Sequence, residues 1–157
     1  MAYGARVVLE SLNGKREVAI DRYFTGYRKT VRKPDELITN IIIPKVRTGT
    51  TVKSYKISKR KDLDISTVSA GFSCTLDPEG LVAGVILAYG GMAERIARAA
   101  TAEQSLLGKP WRRSTIEEAM TYLDRDFTPI SDARAGAEMR RIAAKNLLLK
   151  FWSETAR

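Results

Sequence analysis

Between residues 52 and 89 apolar and polar positions alternate in three successive runs, and beyond residue 98 the alternation gives way to helical spacing. An alternating run offers one face of a pleated strand to a core, whereas apolar residues three and four apart line one side of a helix. Residues 52–58 read as a strand. Residues 66–76 read as a second, with Val68, Ala70, Phe72 and Cys74 on one face, and residues 81–89, mostly apolar, as a central third. Residues 59–64 make a charged loop after the first run, and Asp77-Pro78-Glu79-Gly80 makes a tight turn after the second. Together the runs predict an antiparallel meander. Residues 99–107 follow as an Ala-rich helix stopped by Gly108 and Pro110. A second helix starts at Ser114-Thr115-Ile116-Glu117 and runs to about Leu123. A third, capped by Ser131 or Asp132, runs to about Glu154 with Met139, Ile142, Leu149 and Trp152 as its apolar stripe. Ahead of all this, residues 5–11 and 16–21 are short β-prone runs around Asn13-Gly14, a hairpin signal, and residues 37–44 form a strand ended by Pro44. Strands followed by helices predict an α+β fold: a three-stranded antiparallel sheet packed with a helical layer, preceded by a short β segment.

Composition changes the picture mainly by exclusion. The 157 residues are 44% hydrophobic and 29% charged, which is globular. The longest unbroken apolar stretch is five residues, Val85 to Tyr89, far short of a membrane span, so no membrane partner is expected. Cys74 is the single cysteine and there is no histidine. That removes an internal disulfide, the Ser-His-Asp and Cys-His devices and most zinc sites. With no basic-then-apolar leader at the first residues, a reducing, cytoplasmic setting is expected. The net charge of +9 is lopsided: residues 1–70 hold fifteen Lys/Arg against seven Asp/Glu, residues 71–157 twelve against eleven. Such a field suits an anionic partner: nucleic acid, a phosphorylated cofactor or an acidic protein face.

Individual clusters have competing readings. Lys59-Arg60-Lys61 beside Asp62 and Asp64 could grip phosphate or a partner's carboxylates, or form a solvated loop. Tyr27-Arg28-Lys29 with Tyr23 and Phe24 interleaves aromatic and basic residues as single-strand nucleic-acid binders do, or edges a core. No nucleic-acid-binding motif accompanies it, and no nucleic acid is expected. Gly90-Gly91 lacks the glycine spacing of a nucleotide loop and reads as close backbone packing; Cys74 reads as inert core. Glu117, Glu118, Asp124 and Asp126 read as helix-surface acids.

Several blocks in order go further. They are Phe24-Thr25-Gly26-Tyr27-Arg28-Lys29-Thr30, Pro34-Asp35-Glu36-Leu37-Ile38, Ile43-Pro44, Tyr55-Lys56-Ile57-Ser58-Lys59-Arg60, Asp64-Ile65-Ser66-Thr67-Val68-Ser69-Ala70-Gly71, Ala88-Tyr89-Gly90-Gly91-Met92-Ala93 and Lys145-Asn146-Leu147-Leu148. In this order they resemble the flavoprotein part of the molybdenum hydroxylases, nearest its purine-oxidising branch. The resemblance implies that residues 1–45 are the tail end of an FAD-binding domain and residues 46–157 its C-terminal subdomain. It implies FAD held between this chain and an upstream FAD-binding lobe that carries the glycine-rich pyrophosphate segment. Ile38 then lies near the flavin ring, and Lys56 is the flavin-proximal lysine, whose charge would raise the flavin potential. Leu63 stands where animal members carry an acidic residue. Further implied partners are an iron–sulfur domain with 2Fe-2S clusters, a large molybdenum-cofactor subunit, and NAD as electron acceptor. The chain alone is expected to be an inactive piece of that oxidoreductase. The alternatives are a carbon monoxide, nicotinate or aromatic-CoA oxidoreductase, or a stand-alone basic interaction module.

Overall fold

The computed structural model describes residues 1–60 and 64–156. In chain order the elements are β1 (Arg6–Ser11), β2 (Gly14–Ala19), the single turn α1 (Ile20–Tyr23), β3 (Phe24–Gly26), β4 (Lys29–Thr30) and β5 (Leu37–Ile42). Then come β6 (Thr50–Ile57), β7 (Val68–Leu76), β8 (Val82–Gly90), β9 (Ala97–Arg98), α2 (Ala100–Leu106), α3 (Arg113–Asp126) and α4 (Ala137–Thr155). Strands precede helices, and the fold is α+β.

The first elements make a three-stranded antiparallel sheet ordered β2-β1-β5, with the small β3-β4 hairpin beside it. Val7, Leu9 and Tyr23 form its core, helped by Val18, Ile20 and Val31. The hairpin turn falls one residue earlier than the Asn13-Gly14 signal predicts. Ser11 pairs with Gly14, so Leu12 and Asn13 make the turn, and only Gly14 of that pair takes a positive φ, +138°.

The second sheet is a meander, β6-β7-β8-β9, antiparallel throughout. Val68, Ala70, Phe72 and Cys74 do share the core face, joined by Val85, Leu87 and Tyr89 from β8. The two-residue β9 adds a fourth strand to the three predicted; it is too short to show alternation. Where it ends, Glu103 of α2 takes over. Its carboxylate accepts from Leu87 N at 2.7 Å and pairs with Arg98 at 2.6 Å, so an edge amide and a buried acid satisfy each other.

α2, α3 and α4 cover the core face. α3 extends past the predicted Leu123 to Asp126, whose carboxylate accepts from the amides of Thr101 and Ala102 and so caps α2. α4 begins at Ala137, later than predicted. Asp132 is engaged by the amides of Arg134 and Ala135, while Ser131 Oγ accepts from Ala137 N, the first amide of the helix. Its buried face is Arg140, Ala143, Ala144, Leu147, Leu148 and Phe151. The predicted stripe is corrected in half its members: Leu149 and Trp152 pack against the core, but Met139 and Ile142 are exposed. The helix carries two apolar stripes, and the one interrupted by a charge is the one that packs.

Candidate functional site

The sheet face opposite the helices has little side-chain bulk. Across β6, β7 and β8 the outward rows are Lys56–Ser69–Gly90, Ser54–Gly71–Ala88 and Val52–Ser73–Ile86. Residues before β1 cross this face, with Ala2 Cβ 3.7 Å from where a Gly71 Cβ would stand. Two clefts of about 420 and 400 Å³ open beneath them. The first is bounded by Lys45 and Arg47, the second by Tyr3, Phe24 and Ile96.

Lys56 stands at the open end of this face. It is exposed, and among the described residues its ammonium has no ion-pair or hydrogen-bond partner. Its neighbours in register, Ser69 and Gly90, are both small. A Cβ at Gly90 would displace the Ser69 hydroxyl, which can rotate. At Gly91, φ is +80° and a Cβ would overlap the Thr67 carbonyl oxygen. The glycine pair therefore serves close packing of strand ends.

Ile38 lies on a different sheet. It sits on β5 opposite Leu9 and is 49% exposed, along a free edge where Leu37, Ile41 and Ile43 are more exposed still. Neither Ile38 nor Lys56 lines either cleft. The two stand on separate sheets, each facing open space.

In the charged loop, Arg60 N and its guanidinium bind Asp64 at 3.0 and 3.5 Å, and Ser58 Oγ donates to Arg60 O. The Arg60 amide is the main cause holding the Asp64 carboxyl below its ordinary range. Lys59 Nζ donates to Ala133 O at 2.9 Å. Lys61, Asp62 and Leu63 lie outside the described residues, so the expectation attached to Leu63 does as well.

The remaining clusters divide. Tyr23 is buried in the first core with Phe24 edge-on to it at 4.9 Å, while Tyr27 is exposed beneath the Arg28 guanidinium. Burial pushes the Cys74 thiol up to about 12, so it is no nucleophile. Glu117 and Glu118 are paired with Arg113 and Lys109, and Asp124 with Lys145. No acidic or thiol cluster suited to a metal occurs among the described residues.

Besides Glu103, two buried charges escape pattern reading. Glu36, before β5, accepts a forked pair of hydrogen bonds from Arg16 at 2.6 and 2.8 Å and a third from Lys33 N. Arg16 first, then that amide, bring its carboxyl down to about 2. Arg140 is the other. The only signal in the sequence is its place in the i, i+3, i+4, i+7 series with Ala143, Ala144 and Leu147.

Comparison with known proteins agrees with this architecture. Residues 53–155 match the CO dehydrogenase flavoprotein C-terminal domain, and residues 1–46 match the FAD binding domain in molybdopterin dehydrogenase. The chain belongs to the first of these families along most of its length, with the match to the second ahead of it. It is 32% identical over 155 residues to xanthine dehydrogenase/oxidase of Gallus gallus, covering 97% of this chain and 11% of that protein. It is 33% identical over 157 residues to xanthine dehydrogenase of Emericella nidulans, covering 98% and 12%. Among solved structures, carbon monoxide dehydrogenase from Hydrogenophaga pseudoflava, in a form lacking the Mo-pyranopterin moiety, superimposes with a TM-score of 0.87 at 28% identity. That match covers 95% of this chain and 51% of the other. The chain thus spans about a tenth of the curated relatives and about half of that solved chain. Among the described residues no helix is long and apolar enough to cross a membrane.

Proposed function

We propose that this chain forms one wall of the FAD site in a xanthine dehydrogenase-like molybdenum hydroxylase, with residues 1–45 and 46–157 as two units. The observation that carries this is Lys56, an exposed ammonium without a partner among the described residues, at the open end of a sheet face whose neighbouring residues in register, Ser69 and Gly90, are small. A flat ring edge fits such a face, because small side chains admit close approach and the cation complements its carbonyl oxygens. No glycine-rich cradle for a pyrophosphate accompanies it among the described residues. Exposed Ile38, with Leu37 and Ile41, offers apolar contact for the ring and for the lobe that holds the pyrophosphate.

FAD when bound supplies the electron transfer between iron–sulfur clusters and NAD. The chain's own residues position and polarise it. Lys56 draws negative charge toward the ring edge and raises the potential, and Ile38 excludes water. The molybdenum centre, 2Fe-2S clusters and purine hydroxylation belong to neighbouring domains in this reading. Its purine character rests on the xanthine dehydrogenases, which match at 29–33% identity.

Two measurements test it. First, titrating FAD against the isolated chain should give weak binding or none, because a half-site lacks the contacts that offset immobilising the ligand. Stoichiometric binding at micromolar concentration would overturn the half-site. Second, in the complete enzyme Lys56→Ala should slow NAD reduction and leave reduction of the iron–sulfur centres by substrate unchanged. Losing a charge-assisted contact costs about 1.5–3 kcal/mol. If that fell wholly on the reduced flavin, its potential would drop by roughly 30–65 mV. An unshifted potential would make Lys56 an ordinary surface residue.

A further inference from the structure

Arg140 is 4% exposed and lies on the core side of α4. Its Nη1 donates to the carbonyl oxygens of both Thr67 and Gly91, and its Nη2 to Asp132 Oδ1 at 2.8 Å. Nε is buried with no partner among the described residues. Desolvating a guanidinium is costly, and a packed apolar side chain would serve stability as well or better. What an apolar residue cannot supply is a rigid fork reaching three separate segments.

Those segments meet at one place. Thr67 immediately precedes β7 and Gly91 immediately follows β8, so the fork ties together the ends of two neighbouring strands. Thr67 N donates to Ile57 O at 2.7 Å, which brings the end of β6 into the same tie. The row Lys56–Ser69–Gly90 lies just inside it. Gly91 completes the arrangement: a Cβ there would meet Thr67 O and stand 3.0 Å from Arg140 Nη1. Asp132 anchors the fork to the loop before α4, and Lys59 makes a second tie to that loop through Ala133 O.

We propose that Arg140 is a positioning residue that locks the open end of the β6-β7-β8 sheet and thereby sets where the Lys56 ammonium stands on the opposite face. The flavin part of this rests on the reading of Lys56 given above; the locking of the strand ends does not.

The test has two arms. In this chain, hydrogen exchange is compared between the native protein and Arg140→Met. Amides of residues 67–71 and 88–91 should exchange at least tenfold faster, while residues 50–52 and 74–76, at the far end of β6 and β7, stay unchanged. Uniform acceleration along the strands, or none, overturns the lock. Should Arg140→Met fail to fold, Arg140→Lys and Asp132→Asn, which each keep part of the fork's contacts, carry the same comparison. In the FAD-loaded enzyme, flavin potentials are measured for Arg140→Lys, Lys56→Met and the double variant. Arg140→Lys should shift the potential in the same direction as Lys56→Met, by less, and add nothing once Lys56 is gone. An unshifted Arg140→Lys beside a shifted Lys56→Met overturns the positioning role and leaves the flavin site standing. Additive shifts overturn it too, since Arg140 would then act independently of Lys56. An unshifted Lys56→Met overturns the flavin reading and the functional part of this proposal with it, while the exchange arm decides the lock by itself.

Discussion

The two sheets are built from similar strand chemistry and differ in what covers them. β6 to β9 lie under three helices, and among the described residues twenty-two buried ones form one continuous core there. β1, β2 and β5 share a core of three, Val7, Leu9 and Tyr23, and leave Leu37, Ile41 and Ile43 more than 60% exposed. Much of what holds the smaller sheet is polar instead: Arg16 forks onto Glu36 and also donates to Val31 O, and Arg32 donates to Glu36 O. The difference teaches that the helix-covered sheet holds itself together. The other carries apolar surface that only a further layer would remove from water.

The comparison breaks if the chain unfolds as one unit, so the largest effect is sought first. Phe72 is fully buried, with its ring 4.9–5.9 Å from those of Tyr55, Tyr89 and Phe151. Phe72→Ala should cost about 3–5 kcal/mol and shift the urea midpoint read by tryptophan fluorescence, both tryptophans lying in the helix-covered unit. Leu9→Ala, equally buried but in the small core, should loosen hydrogen exchange in β1, β2 and β5 without moving that midpoint. Equal midpoint shifts would mean a single cooperative unit.

Acid provides the next test. Glu36 has its carboxyl lowered from 4.5 to about 2 in the folded chain, chiefly by Arg16. A lowered folded value means the contribution is complete above the unfolded value and is lost as pH falls from about 4.5 toward 2. Exchange in residues 31–42 should accelerate through that window, while the helix-covered core persists. Glu36→Gln should abolish the pH dependence there. Asp132, also brought down to about 2, by the amides of Arg134 and Ala135 and then by Arg140, titrates in the same window. Simultaneous loss of both sheets would show that it, and not Glu36, controls acid unfolding.

The smallest effect falls on the exposed edge. Ile41→Lys should change the stability of this chain by no more than about 0.5 kcal/mol, as surface substitutions do. It should nonetheless prevent assembly with a covering lobe, measured by co-expression and size-exclusion chromatography. Undiminished assembly would locate the covering layer elsewhere.

By itself the sequence determined the parts whose signal is local. The alternation in β7 follows from the two-residue pleat, so Val68, Ala70, Phe72 and Cys74 were assigned to one face without knowledge of what lay opposite. Ordered blocks likewise carry the flavoprotein family, while the roles of Ile38 and Lys56 are proposals that rest on that resemblance. Tertiary structure alone decided three things. It selected which of the two apolar stripes on α4 faces the sheet, because that depends on the surface the helix meets. It recruited β9 and Glu103 to finish an edge too short to show a pattern. And it gave Arg140 its place, because an arginine on an apolar face becomes tolerable only where Thr67, Gly91 and Asp132, far apart in sequence, bring their oxygens to one point.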